Sequence, residues 1–107
     1  MEEIYREPQL QEKIRDCRLL IVLYGSAGCG PCQAIREKLS RWQEDHPQAG
    51  CLYIPLELAQ ALAAQNGVYA APALQIFMDG RPMLREAGCF SLSQILSKVE
   101  FYIENFT

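Results

Sequence analysis

The side chains of this sequence best suited to chemistry are Cys29 and Cys32, set in the stretch Gly25-Ser26-Ala27-Gly28-Cys29-Gly30-Pro31-Cys32-Gln33. The apolar run Leu19-Leu20-Ile21-Val22-Leu23-Tyr24 precedes them and a helical pattern follows, so the thiols fall where a strand ends and a helix begins. This spacing in a first helical turn lets both sulfurs close a small disulfide ring without moving the backbone. Such a pair can exchange electrons with other thiols.

The two thiols are unequal for a physical reason. Cys29 falls at the helix start, facing unpaired backbone N–H groups and the positive end of the helix dipole, which stabilise a thiolate. A free thiol of pKa about 8.5 is only slightly ionised at neutral pH, and roughly 2 kcal/mol of added stabilisation makes it about half ionised. A helix terminus with two hydrogen bonds supplies that much. Cys29 is therefore the expected nucleophile. Cys32, a turn deeper, is the expected resolving thiol that expels a bound partner. Pro31 suits the first turn, where a missing N–H costs nothing.

Zinc is the competing use of such a pair, but a structural zinc site takes four ligands, usually from a second pair at similar spacing. No second pair exists, His46 is the only histidine, and Cys17, Cys51 and Cys89 stand singly. No metal and no other cofactor is expected, although a metal-bridged dimer sharing two pairs stays open as an alternative. A purely structural disulfide across so small a ring would remove little unfolded-state entropy.

With 107 residues, 50% of them hydrophobic, the chain is expected to form one domain over residues 1–107. The net charge of −3, with signs interspersed, offers no basic face for nucleic acid and no stripe for an anionic membrane. The longest apolar run is far too short to span a bilayer. The N-terminus, Met1-Glu2-Glu3-Ile4-Tyr5-Arg6-Glu7, is acidic rather than signal-like, and an odd total of 5 cysteines is unusual for a small secreted domain. A cytoplasmic monomer is the expectation.

Elements must hold the pair in place. Leu10, Ile14 and Cys17 recur at helical spacing, predicting a helix from about Pro8 to Cys17, with Ile4 and Tyr5 as a brief edge strand before it. Leu19 to Tyr24, apolar on both faces, predicts a central strand. Ile35, Leu39 and Trp42 mark one face of a helix ending before Pro47, with Trp42 at the core edge and His46 at the helix end. Cys51 to Leu56 predicts a second strand in which Cys51 is a buried small hydrophobe. Glu57 to Asn66 predicts a third helix with Leu58, Ala61 and Leu62 inward. Asp79-Gly80 joins Ala73–Met78 to Arg81–Ala87 as a hairpin, with Pro82 marking an edge strand. Ser91-Leu92-Ser93-Gln94 has the capping-box pattern and opens a long helix facing inward through Leu92, Ile95, Leu96, Val99, Tyr102, Ile103 and Phe106. The order predicts an α/β fold, a mixed sheet of about four to five strands flanked by helices on both faces.

On these residues the chain resembles the thioredoxins over nearly its whole length. Cys29-Gly30-Pro31-Cys32 has the intervening pair of thioredoxins rather than of glutaredoxins or disulfide isomerases. Ala71-Pro72 falls at the family's cis-proline, Asp79-Gly80 at its last hairpin turn, and Gly88 at its later glycine. The resemblance implies the thioredoxin fold and a thiol–disulfide oxidoreductase that reduces protein disulfides with electrons from a reductase or a small thiol. It also implies a cis Ala71–Pro72 bond opposite the cysteines, with the Ala71 backbone free to pair with an extended substrate strand. Gly30, Pro31, Ala71, Pro72, Gly88 and Cys89 are then the expected substrate-binding positions, Gly88 keeping the surface open.

There are departures from the family pattern. Leu23 takes the place of a buried aspartate that serves the resolving thiol as proton acceptor, so water or another group is expected in that role. With that negative charge lost, Cys29 is expected to be at least as acidic as in an ordinary thioredoxin. Gly25 and Gly28 replace two tryptophans, predicting a flatter, more open rim. Cys89 is expected to be a small packed residue, the other reading being a third exchange partner. The departures keep a second function class in play, a thioredoxin-like binding or redox-sensing module that docks one partner protein without turnover.

Overall fold

Every residue of the apolar run is buried because strands pair with it on both sides and helices cover both its faces. The computed structural model describes the backbone of residues 1–106 and the side chains of residues 1–105, so the inward facing expected of Phe106 lies outside the described side chains. In chain order the elements are β1 (Glu2–Glu3), α1 (Glu7–Asp16), β2 (Leu19–Gly25), α2 (Gly30–Glu44), β3 (Gly50–Pro55), a 3-10 turn (Leu56–Leu58), α3 (Gln60–Gln65), β4 (Ala73–Met78), β5 (Arg81–Ala87) and α4 (Leu92–Phe106). The sheet order is β1-β3-β2-β4-β5, with β1, β3 and β2 parallel and β4 and β5 antiparallel.

Alternation along β2 splits the interior into two cores. Leu20, Val22 and Tyr24 pack with Ile4, Leu10 and Ile14 from the α1 side and with Leu62 and Ala63 of α3. Leu19, Ile21 and Leu23 face the other way, toward Leu39 of α2 and Leu92, Ile95, Leu96 and Val99 of α4. Each fully buried Leu, Ile or Val contributes about 1.5–3 kcal/mol. This two-sided burial anchors the strand that delivers the cysteine loop.

Helix ends follow local chemistry. The Gln9 side chain accepts hydrogen bonds from the N–H groups of Tyr5 and Arg6 at 3.0 and 3.1 Å and closes the start of α1. Ser91 Oγ accepts from the Gln94 N–H at 3.3 Å at the start of α4. At the turn between β4 and β5, Asp79 and Gly80 both have positive φ, 53° and 80°, as a two-residue hairpin of this twist requires. β5 is an edge strand, so Pro82 withholds a donor where none is needed. Trp42 packs at the margin of the α2–α4 core and stacks on His46 with centroids 4.1 Å apart, just beyond the end of α2.

Two expectations change, and the hairpin keeps its expected strands and turn. The first strand is Glu2–Glu3, not Ile4–Tyr5: Glu2 and Glu3 align with Leu52 and Tyr53, and Ile4 turns its side chain into the core. The segment after β3 is not one helix. Ala59, at φ −139°, separates the 3-10 turn from α3, and burial of Ala59, Leu62 and Ala63 rotates the inner face so that Leu58 is 64% exposed. The hairpin carries an irregularity between Ile76 and Phe77, which pair with Leu84 and Pro82 and leave Met83 as the extra residue.

Candidate active site

The strand–helix junction does what the spacing predicts. Cys29 is the N-cap of α2, with extended backbone at φ −99° and ψ 106°, and its Sγ accepts the Cys32 N–H at 3.2 Å. Pro31 lies in the first turn, and Gly30 and Pro31 are exposed. Cys29 and Cys32 form a disulfide with Cα atoms 5.3 Å apart, inside the normal range for such bonds. Cys29 is half-buried, whereas Cys32 is wholly buried. An incoming partner therefore meets the sulfur that sits at the helix N-terminus.

The remaining expected site residues lie at the same end of the sheet. Tyr24 pairs with Ala73, and Ala73 with Ala87, so the end of β2, the start of β4 and the end of β5 are side by side. The Ala71–Pro72 peptide bond is cis. The Gly88 N–H donates to the Pro72 carbonyl at 2.9 Å, joining two of the expected docking segments. A Cβ on Gly88 would meet nothing within 4 Å, yet its φ is +78°. Glycine is needed there for backbone conformation rather than for room.

Cys89 is exposed, which overturns its expected packing: it follows a left-handed glycine just beyond the last strand. Cys51 is buried, and desolvation pushes its thiol up to about 12. Leu23 is wholly buried between Tyr53 and Leu74 on the neighbouring strands. The rim is open in only one of the two expected places. A Cβ on Gly28 would meet nothing within 4 Å, but one on Gly25 would lie 2.5 Å from the Tyr53 hydroxyl.

Sequence reasoning missed what lies beneath the loop. Tyr53 is 3% exposed, its ring lies under the Arg36 guanidinium at 4.0 Å, and Arg36 bonds Glu3 at 2.7 Å. The Gln33 amide donates to the Ser26 carbonyl at 3.5 Å. Glu57 accepts the Ala27 N–H at 3.0 Å. The available signal was a glycine at the end of an otherwise bulky strand.

A profile of the thioredoxin family matches residues 3–101. The chain belongs to the thioredoxin family. It is similar to thioredoxin-1 of Saccharomyces cerevisiae, 26% identical over 80 residues that cover 75% of this chain and 78% of that one. It is also similar to the mitochondrial thioredoxin-2 of Schizosaccharomyces pombe, 27% identical over 85 residues covering 78% of this chain and 64% of that one. The crystal structure of Fasciola hepatica thioredoxin shares the fold, with a TM-score of 0.84 at 21% identity over 94% of this chain and 98% of that one. Family membership and the bonded cysteine pair make this thioredoxin-family chain a thiol–disulfide oxidoreductase. Among the described residues no helix is long and apolar enough to cross a membrane.

Proposed function

We propose that residues 1–107 act as one thioredoxin-like domain that reduces protein disulfides, with Cys29 as nucleophile and Cys32 as resolving thiol. The thiolate of Cys29 attacks one sulfur of the substrate disulfide. The substrate S–S bond breaks, its other sulfur leaves as a thiolate and takes a proton, and a mixed disulfide remains. Cys32 then loses its proton and attacks Cys29 Sγ. The second substrate sulfur is released, and two electrons have passed from the dithiol to the substrate. A reductase or a small thiol returns the pair to the dithiol.

The observation that carries this is the bond from the Cys32 N–H to Cys29 Sγ at the start of α2, with Cys29 reachable and Cys32 wholly covered. A donor held in place at a helix N-terminus favours the thiolate. Docking falls to Gly30 and Pro31 on one side and Ala71, Pro72, Gly88 and Cys89 on the other, where an extended substrate segment pairs with the Ala71 backbone. We place the working form in the cytoplasm on the odd cysteine count, which a small secreted domain rarely shows.

Reduction of insulin disulfides in the presence of dithiothreitol tests the activity. Wild type is expected to precipitate insulin faster than dithiothreitol alone, and Cys29→Ser is expected not to. Equal rates for both proteins would remove the proposal. The buried Leu23, which is no proton acceptor, favours a second reading in which the pair senses or tethers a single partner without turnover. Cys32→Ser separates the two in cell extract, because a reductase traps many proteins as mixed disulfides and a dedicated module traps one.

A further inference from the structure

The segment that joins α3 to β4 carries Ala71 and Pro72, and β5 with the glycine that follows it holds both ends of that segment. At the far end the Gly88 N–H donates to the Pro72 carbonyl at 2.9 Å. At the near end Arg85 donates through one guanidinium nitrogen to the Asn66 carbonyl at 2.9 Å and through another to the Gly67 carbonyl at 2.6 Å. Arg85 pairs with Gln75, whose side chain bonds Tyr24 in the α1-side core, so the Arg85 side chain rises on the face where α3 ends. Its planar fork suits two neighbouring carbonyls, which at a helix C-terminus lack internal partners and carry the negative end of the dipole. Gly67 fits the same clamp: its φ of +72° turns the chain out of α3, and a Cβ there would lie 3.2 Å from the guanidinium. Val68 is then buried, with its N–H on the Ala63 carbonyl at 2.8 Å. Among the described residues no backbone hydrogen bond reaches Tyr69, Ala70 or Ala71.

We propose that Arg85 is a positioning residue for substrate docking, clamping the end of α3 so that the unbonded stretch 69–71 stays ordered between Gly67 and Pro72 with the Ala71 backbone open for pairing. The inference rests on the reading in which an extended substrate segment pairs with Ala71, and its structural content is the clamp itself. Arg85 touches no reacting atom. It acts through the backbone, because a segment released at one anchor has to be ordered again each time a substrate binds, and that entropy is subtracted from affinity. The sulfur exchange that follows docking is untouched. The effect therefore belongs in KM and not in kcat.

The test is the initial rate of insulin disulfide reduction over a range of insulin concentrations, with dithiothreitol in excess, which separates kcat from KM. Arg85→Met keeps the apolar stem on an exposed edge strand and removes both donors. Its KM should rise about two- to tenfold, the range for one net hydrogen bond, with kcat unchanged. Arg85→Lys keeps the charge but not the planar fork that spans two carbonyls, and its KM should fall between those of wild type and Arg85→Met. Alkylation of Cys29 by iodoacetamide in the reduced protein, mapped by mass spectrometry, needs no docking and should keep the wild-type rate in both variants. An Arg85 that serves stability alone would lower the melting temperature of Arg85→Met and leave KM unmoved, and that result overturns the inference. Slower Cys29 alkylation in Arg85→Met overturns it too, since the cysteine loop rather than the docking segment would then be disturbed. Backbone NMR order parameters of residues 69–71 are scored separately and should fall in Arg85→Met. If the wild type reduces insulin no faster than dithiothreitol alone while those order parameters fall, the reductase reading is lost and the clamp stands. Order parameters that stay at the wild-type level overturn the clamp whatever insulin shows.

Discussion

Replacing Gly25 by alanine isolates the close approach on which the loop geometry depends. The added Cβ would meet the Tyr53 oxygen at 2.5 Å and two ring carbons at 2.7 and 2.9 Å, three contacts closer than real side chains show. Relief by ring movement is blocked by Arg36 above Tyr53, and relief by backbone movement is opposed by the pairing of Gly25 with Pro55. Overpacking of this kind costs about 1–3 kcal/mol. At about 4–8 °C per kcal/mol for a domain near this size, the melting temperature of Gly25→Ala should fall by at least about 4 °C. Tyr53→Leu removes the obstructing atoms and opens a cavity costing about 2–5 kcal/mol by itself. In that background the alanine methyl has room, so the double variant should be no less stable than Tyr53→Leu. Urea unfolding of the four proteins measures the coupling, expected at about 1–3 kcal/mol. Additivity within about 0.5 kcal/mol would refute the reasoning, because the two residues would then not share the space.

Further outcomes follow from burial and pairing. In the oxidised protein, iodoacetamide mass mapping should find Cys89 modified first and Cys51 last, since Cys89 is exposed while Cys51 is buried with its thiol pushed up to about 12. The hydrogen bond from Arg36 holds the Glu3 carboxyl below the ordinary range, so its contribution is complete above the unfolded carboxylate pKa of about 4.3 and is lost as pH falls through the lower folded value. The difference in melting temperature between wild type and Glu3→Gln should therefore shrink from pH 7 toward pH 3, and partial exposure keeps it within about 1 kcal/mol. Tyr24→Phe removes the donor to Gln75 Oε1, at 2.9 Å in a buried site, and should destabilise by about 1–3 kcal/mol in chemical unfolding.

Strong periodicity and turn chemistry were legible in advance. The run Leu19 to Tyr24 could only be a strand covered on both faces, and Asp79-Gly80 could be recognised as the hairpin turn because the two residues tolerate positive φ together. The cysteine pair could be placed at a helix start from its neighbours alone. Short elements were harder. Glu2–Glu3 is a strand only because β3 lies beside it, with no local pattern of its own. The break at Ala59 arises from how Ala59, Leu62 and Ala63 settle against the α1-side core, which propensity does not encode. Cys89 was expected to pack on the grounds that small residues usually do, but packing depends on what lies opposite, and Cys89 is exposed.

The sequence by itself determined the local arrangement: two thiols across a helical turn, the strand that carries them, and the proline and glycine segments spaced around them. Those features depend on backbone preferences and neighbours within a few residues, which any window of the chain contains. Only the tertiary structure decided what supports the reactive segment. Tyr53, Glu3 and Glu57 are distant from Cys29 in sequence and meet Arg36 of α2 and the loop because β3 lies beside β2 in the sheet and α2 packs over it. Strand order and helix packing are collective outcomes of core burial, so the partner of Gly25 appears in no stretch of sequence near it.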